Sequence, residues 1–550
     1  MSLAVPKTND NDTAAATGLM ECCTIMQDRH EQAVALEERK RRGQYFTPPA
    51  ICRFMAGLLR ELPAQFKLLD AGAGAGSLSV AVCERALQSR KPIRLEIHLF
   101  ETDPSLSAPL ENAMQNAKAA LELAGHRLSY HIRRQDFALD LPRSTRQLTL
   151  FDSEGIQHEH NGLASLAVGD FDAAIMNPPY FKLAADSPHA QIMSDAFRGQ
   201  PNVYSLFMAR AAELLRPGGE LVSITPRSFC NGLYFRDFRR WLFARMTLKR
   251  IHLFESRRDT FDDVLQESVI TVAEKTSQPS TRISITASNG NPPRDLKPLS
   301  LPASLIIDDP RGEALVRIPT SQEDWEVLNV VERWPARFTD HDLAISTGPV
   351  VLFRAKAFLE ETPSQNPTDE APLLHPHNVR AHRIDWPLSK RGKPQAFLVR
   401  PESAKHLIFS RNCVLLRRFS AKEDKRRLTA AGFFREDWPF AQLALENHLN
   451  YVYRPSGELS VEETHGLAAL FNSAFLDRYF RIISGNTQVN ATEIRVMKFP
   501  ELDRIAAIGD RVRRLETIEA SAAERIVLEE LGLEKEFASM PLAAESAIAP

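Results

Sequence analysis

Cysteine is scarce in this chain, six residues in 550, and Cys22, Cys23, Cys52, Cys83, Cys230 and Cys413 form no CxxC pair and stand near no histidine cluster. That pattern argues against a disulfide framework and against thiolate-held zinc, and for reduced thiols in a cytosolic protein. No apolar run approaches the length of a membrane span, so no membrane association is expected. The amino-terminal stretch MSLAVPKTNDNDTAAATGLMECC lacks a basic start followed by an apolar core, and no secretory leader is expected. Charge of one sign is lacking too: 68 Lys and Arg against 70 Asp and Glu leave a net −2. Whole-chain electrostatics therefore select no partner, and only local asymmetry can. No internal repeat is evident.

What is present is ample core material, 43% hydrophobic residues in a length that suggests two to four domains. A polar, alanine-rich tail over residues 1–19 precedes a helical pattern from about Met20 to Arg42. An α/β alternation follows: strands at 66–70 (FKLLD), 94–100 (RLEIHLF), 128–137 (LSYHIRRQDF), 171–176 (FDAAIM) and 220–226 (ELVSITP), with helices between them. Segments 248–254 and 267–275 are two more strands with no room for a helix between them, so an antiparallel pair is expected. The fold class is therefore α/β: one doubly wound, seven-stranded, Rossmann-like sheet with an antiparallel last strand, spanning residues 20–276. Residues 277–335 begin rich in Ser, Asn and Pro and read as a linker or irregular strand pair. A mixed α/β domain over 336–550 completes the chain. Within it, residues 380–427 hold 14 Lys and Arg against 4 Asp and Glu. With Trp386, Phe397 and Phe409 interspersed, this segment suits a nucleic-acid surface somewhat better than a plain solvated face, and Arg417 and Arg418 are its candidate contacts.

The chemistry is concentrated at the expected strand ends. In LLDAGAGAGSLSVAV (68–82), Asp70 closes a strand and Gly72, Gly74 and Gly76 precede a helix, a turn that lets backbone approach a ligand closely. The spacing lacks GKS/T, which excludes a phosphate-gripping P-loop. Glu101, at the end of the second strand, stands where a carboxylate accepts both hydroxyls of a ribose. Asp136, after the third, can accept from an adenine amino group while Phe137 packs on the ring. Each acid alone reads as a cap or surface carboxylate; three in register at successive strand ends describe an adenosine pocket without a phosphate grip.

The fourth strand ends in Asn177-Pro178-Pro179-Tyr180. Two prolines cannot continue a ladder and hold the backbone nearly rigid. The Asn177 amide oxygen and the Pro178 carbonyl are two acceptors that would converge on an exocyclic amino group, and Tyr180 offers a flat face for a base, worth about 1–3 kcal/mol of stacking. A proline turn with a capping asparagine is the plainer reading of the same four residues.

Together these motifs resemble the γ class of SAM-dependent DNA adenine-N6 methyltransferases, the TaqI and PstI-type modification enzymes, over residues 40–276. GQYFTPPAICRFM (43–55) resembles the family motif that contacts the methionine end of S-adenosylmethionine, with Thr47 and Pro48 at its core. The resemblance implies that Asp70, Gly72, Gly74, Glu101, Asp136, Phe137 and Asn177 bind that cofactor, with no metal. It implies that Asn177, Pro178, Pro179 and Tyr180 hold the target base. DTFDDVLQESVI (259–270) resembles the segment whose aromatic packs on the flipped base, which makes Phe261 the second stacking candidate. SGNTQVNATEIRVMKFP (484–500) is similar to a stretch of PstI-like members that belongs to the DNA-recognition half, so Asn486, Gln488 and Asn490 become DNA-binding candidates.

The implied reaction is methylation of adenine N6 in duplex DNA, which requires extrusion of the base at a cost of a few kcal/mol. RNA adenine-N6, protein glutamine-N5 and DNA cytosine-N4 methylation share the amino-group chemistry, and a non-catalytic nucleic-acid binder is the alternative of a different class. About 40 residues precede GQYFTPP, too few for a nuclease domain. A modification enzyme is therefore expected, either paired with a separately encoded endonuclease or solitary. It would be monomeric and cytoplasmic in a bacterium or archaeon. The target site is not readable, because groove geometry decides it.

Overall fold

The computed structural model describes residues 10–34, 37–39, 43–139, 168–184, 186–194, 202–255, 267–293, 295–309, 312–364, 368–388, 393–420, 424–485 and 488–537. The chain divides into two units between Thr320 and Ser321. In the first, helices α1 (Asp10–Ala33) and α2 (Pro49–Leu58) precede strand β1 (Gln65–Ala71), helix α3 (Ser77–Leu87), strand β2 (Arg94–Phe100), helix α4 (Ser107–Leu123) and strand β3 (Arg127–Arg133). Strand β4 (Phe171–Met176), helices α5 (Pro188–Ser194) and α6 (Val203–Leu214), strand β5 (Leu215–Pro226) and helix α7 (Arg236–Phe243) follow. Strands β6 (Thr247–Phe254), β7 (Ser268–Glu274), β8 (Arg282–Ser288) and β9 (Leu299–Pro302) complete the sheet.

Its order is β3-β2-β1-β4-β5-β7-β6-β8-β9. Strands β1 to β5 are parallel, whereas β7 inserts antiparallel between β5 and β6. Parallel strands are covered on both faces, so they read as nearly unbroken apolar runs. In β1, Phe66 and Leu68 to Ala71 are buried, and in β7 Ser268 to Ala273 are. On one face, Leu68, Ile97, Ile175 and Val222 pack with Ile51 and Met55 of α2, Val80 of α3 and Met114 of α4. Burying each large apolar side chain contributes about 1.5–3 kcal/mol.

Four expectations require correction. The sheet has nine strands: the expected seven plus β8 and β9, which lie inside the Ser- and Pro-rich stretch read as a linker. There Ile283 and Ile285 alternate with polar residues and are buried, a period-2 signal inside turn-like composition. The first unit thus runs on to Thr320 rather than ending at 276, and Gln322–Val331 is a helix of the second unit. The residue 1–19 tail is helical from Asp10. Strand β3 ends at Arg133, so Asp136 lies in the loop beyond it.

The second unit is mixed α/β. A four-stranded sheet pairs Ala344–Thr347, Leu449–Tyr453, Cys413–Arg417 and Ala430–Phe433, and a five-stranded sheet includes Glu370–Leu374 and Gln442–Leu445. Helices Val461–Phe471 and Leu502–Val512 cross where Gly466 and Gly509 meet: a Cβ on either would collide with a backbone carbonyl of the other helix.

Candidate active site

The carboxyl ends of β1, β2 and β4 open onto a cavity of about 580 Å³, the place where open α/β sheets bind ligands. The glycine turn forms its floor. Gly72 and Ala73 donate their N–H groups to the Phe100 carbonyl, which locks the turn to the end of β2. Gly76 caps α3 in the left-handed region (φ 89°), and a Cβ there would come within 2.9 Å of Leu110. Glycine is required at that position on both counts.

Glu101 is fixed by two backbone donors, Gly74 N–H to Oε2 (2.8 Å) and Asp103 N–H to Oε1 (2.8 Å). Burial pushes its carboxyl above the ordinary value. Asp136 accepts from Ala138 and Leu139 N–H at Oδ1 and meets His189 Nε2 at Oδ2, 3.0 Å. Burial alone would raise Asp136, but the His189 bond and the two backbone donors outweigh it and hold the carboxyl below its usual value. Phe137 is buried edge-on against Phe100 (5.0 Å) and tilted against Phe207 (5.3 Å).

A strap over residues 43–48, just ahead of α2, crosses from the tip of β4 to the end of β2. Gly43 O accepts from Tyr180 N–H (3.4 Å), and Gln44 Nε2 donates to Asp103 Oδ2 (3.0 Å). The Phe46 ring lies against Gly74. The tip itself is ordered by side chains. Asn177 Nδ2 donates to the Tyr45 carbonyl (2.8 Å) and to Thr47 Oγ1 (2.9 Å). The Tyr180 hydroxyl lies 2.5 Å from Asn177 Oδ1 and 2.9 Å from the Ile224 carbonyl of β5. Burial pushes the Tyr180 phenol far up, so it remains a donor.

Thr47, Gly72, Gly74, Glu101, Asp136, Phe137, Asn177 and Pro179 all line this cavity; Pro48, Asp70, Pro178 and Tyr180 do not. Asp70 is fully buried, accepts from the Ser79 hydroxyl (2.6 Å), and is raised by burial to about 7. The Tyr180 ring packs with Tyr45 (centroids 6.0 Å, 24° between planes) and edge-on to Tyr204. Phe261 and Asn486 lie outside the described residues. Sequence reasoning missed Gln44, Tyr45, Asp103, His189 and Phe207 among the lining residues. The first three sit within three residues of Thr47 or Glu101 and could have been found by adjacency. His189 and Phe207 arrive from α5 and α6, with no local signal.

In the second unit, Arg417 Nε donates to the Val379 carbonyl (2.7 Å). Arg418 donates to the Asn447 carbonyl (3.0 Å) and to Gln488 Oε1 (3.2 Å), with its guanidinium 5.8 Å from the half-exposed Phe419 ring. Asn490 stands at the start of a short helix, its N–H donating to Glu493. Arg418 and Gln488 thus come together, while Arg417 and Asn490 engage their own fold. Among the described residues, Glu96, His98 and His131 bring ligand-type atoms within 4.8 Å of one another on β2 and β3. None of them lines the cavity, and Lys67 Nζ sits 3.3 Å from Glu96. Also among the described residues, no helix is long and apolar enough to cross a membrane.

A doubly wound sheet whose parallel strands are followed by the reversed β7, a glycine turn, and an Asn-Pro-Pro-Tyr tip that brings Asn177 and Pro179 to the same cavity define a methyltransferase. Comparison with known proteins narrows the class. Residues 95–261 match the Eco57I restriction-modification methylase model and residues 30–124 the N-6 DNA methylase model. The type II methyltransferase M.BsuBI of Bacillus subtilis is 35% identical over 491 residues, 88% of this chain and 92% of its own. M.PstI of Providencia stuartii is 31% identical over 513 residues, 91% and 96% of the two chains. The chain belongs to this family of type II DNA methyltransferases from restriction-modification systems.

Proposed function

We propose that the protein transfers the methyl group of S-adenosylmethionine to N6 of an adenine extruded from duplex DNA. The observation that carries this reading is the Asn177 amide: its nitrogen is tied down by Tyr45 O and Thr47 Oγ1, so its oxygen has a fixed direction at the rim of the cavity. A fixed acceptor is what an exocyclic amino group needs in order to be oriented for transfer.

The residues present fit the cofactor. A cavity of about 580 Å³ is within the range of cofactor sites, about 300–1,000 Å³. Each Glu101 oxygen already holds one backbone N–H and keeps a lone pair for the ribose hydroxyls. Asp136 and Phe137 would take the adenine end, and Thr47 and Gly72 to Gly74 the remainder. Bound S-adenosylmethionine supplies a methyl group already activated on sulfonium. Asn177 Oδ1 and the Pro178 carbonyl accept the two N6 hydrogens, which turns the nitrogen lone pair away from the ring and toward the donor. The N6 proton then leaves to solvent, so no dedicated base is required. Pro178 and Pro179 keep the tip from yielding. Tyr180 contributes through its hydroxyl to Asn177, and Phe261 is the candidate for stacking on the base.

The second unit would hold the duplex, with Arg418, Phe419 and Gln488 clustered together. The protein works as the modification component of a restriction-modification system or as a solitary methylase, as a monomer and in the cytoplasm.

Methyl-labelled cofactor and genomic DNA, followed by modification-aware sequencing, test the reading. Label at adenine N6 within one short motif is expected; label on cytosine N4, or none on DNA with the cofactor bound, would overturn it. Asn177→Ala should abolish transfer and leave cofactor affinity within about threefold, a loss of transition-state orientation alone.

A further inference from the structure

We propose that Thr47 is a positioning residue for the target base: through Asn177 it sets which way the amide at the catalytic tip faces. This rests on the methyltransferase reading above and adds a second duty to the strap, beyond contact with a cofactor.

A side-chain amide fits its density of neighbours in two ways, oxygen and nitrogen exchanged, and its terminal torsion is soft. The neighbours therefore decide. Here the Tyr45 carbonyl, 2.8 Å from Asn177 Nδ2, can only accept. The reverse orientation would set two carbonyl oxygens against each other. One such contact leaves the amide free to swing about that single bond. Thr47 Oγ1, 2.9 Å from the same nitrogen, takes its second hydrogen and stops the swing. Both amide hydrogens are then spent on the strap, and Oδ1 is held beside the Tyr180 hydroxyl. Thr47 is itself buried, 5% exposed, which limits competition from water for the bond. The strap is anchored at its other side to the end of β2 through Gln44 and Asp103. The element that borders the cofactor cavity therefore also aims the acceptor for the base.

The same geometry accounts for asparagine at position 177. An aspartate would place a carboxylate oxygen 2.8 Å from the Tyr45 carbonyl, where the amide donates.

The test compares Thr47→Val, which keeps the shape and loses the acceptor, with Thr47→Ser, which keeps the acceptor. Single-turnover methyl transfer to DNA at saturating cofactor is measured alongside cofactor and DNA dissociation constants. Thr47→Val is expected to slow the chemical step about 10- to 100-fold, with both affinities within about threefold of the parent. Thr47→Ser should restore the rate to within about fivefold. An unchanged rate in Thr47→Val would overturn the proposal. So would a defect that disappears at saturating cofactor, since it places the hydroxyl on the cofactor only. Retained cofactor binding in Val certifies a folded pocket. The two readings fail separately: if the parent protein labels no DNA the methyltransferase reading fails, whereas if it does and Thr47→Val matches it, only the positioning role does.

Discussion

Replacing Asp70 by asparagine should change how stability depends on pH, and the size of the effect follows from burial. The carboxyl is fully buried at the end of β1, with the Ser79 hydroxyl donating to it and the Glu101 charge nearby. Burial disfavours the ionised form most and lifts the group from 3.8 to about 7. Between those values the folded protein keeps a proton that the unfolded chain releases. Stability from this group is fully present below pH 4 and is lost as pH rises toward 7, then levels off. Across the window the loss amounts to at most about 4 kcal/mol, at roughly 1.4 kcal/mol for each tenfold change in proton activity. An asparagine is isosteric, still accepts from Ser79, and never ionises. Asp70→Asn should lie nearest the parent at the acid end of the range and exceed it at pH 8, by on the order of 5–10 °C in the melting of the first unit. Thermal melts of both proteins from pH 4.5 to 8.5 read this directly, because every other carboxylate cancels in the difference. Parallel curves across the range would refute the reasoning and show that Asp70 stays ionised inside the fold.

Two further outcomes follow from the cavity. Gly43 holds a φ of 65°, and a Cβ there would stand 2.6 Å from Tyr180 N; Gly43→Ala should cost about 1–3 kcal/mol and weaken cofactor binding, read by urea melts and titration. His189 occupies Asp136 Oδ2 at 3.0 Å, so His189→Ala should alter affinity for the adenine end of the cofactor, seen as a change in dissociation constant for both S-adenosylmethionine and adenosine; equal affinities in the two proteins would remove His189 from the site.

Much of this site was legible because its residues lie at strand ends, and the strands announce themselves. RLEIHLF is a strand from Arg94 to Phe100 as its composition suggests, and Glu101 follows one residue later. Asn177 likewise follows β4 directly. Asp136 needed more luck: its strand stops at Arg133, and the loop beyond carries the carboxylate to the cavity. What was not legible depends on contacts far apart in sequence. Nothing near Tyr180 signals that its hydroxyl will meet both Asn177 and the Ile224 carbonyl, 44 positions on. Nothing near Thr47 signals a bond to an amide 130 positions away. Composition misled at 277–302, where Ser and Pro disguised the alternation of Ile283 and Ile285. The charge count at Arg417 gave no sign that its Nε would donate to the Val379 carbonyl of its own domain.

The strap has a consequence for the order in which the molecule is made. Its residues are synthesised well before the partners that hold it: Asp103, then Asn177 and Tyr180, whose hydroxyl also meets the Ile224 carbonyl. At about 5–20 residues per second, the strap waits roughly 10–40 s between its emergence and the arrival of that last anchor. The tip at the end of β4 is therefore completed only once β5 has been made. A polypeptide interrupted before β5 would still hold the Asn177 amide through the strap, but would lack the Ile224 carbonyl that meets the Tyr180 hydroxyl.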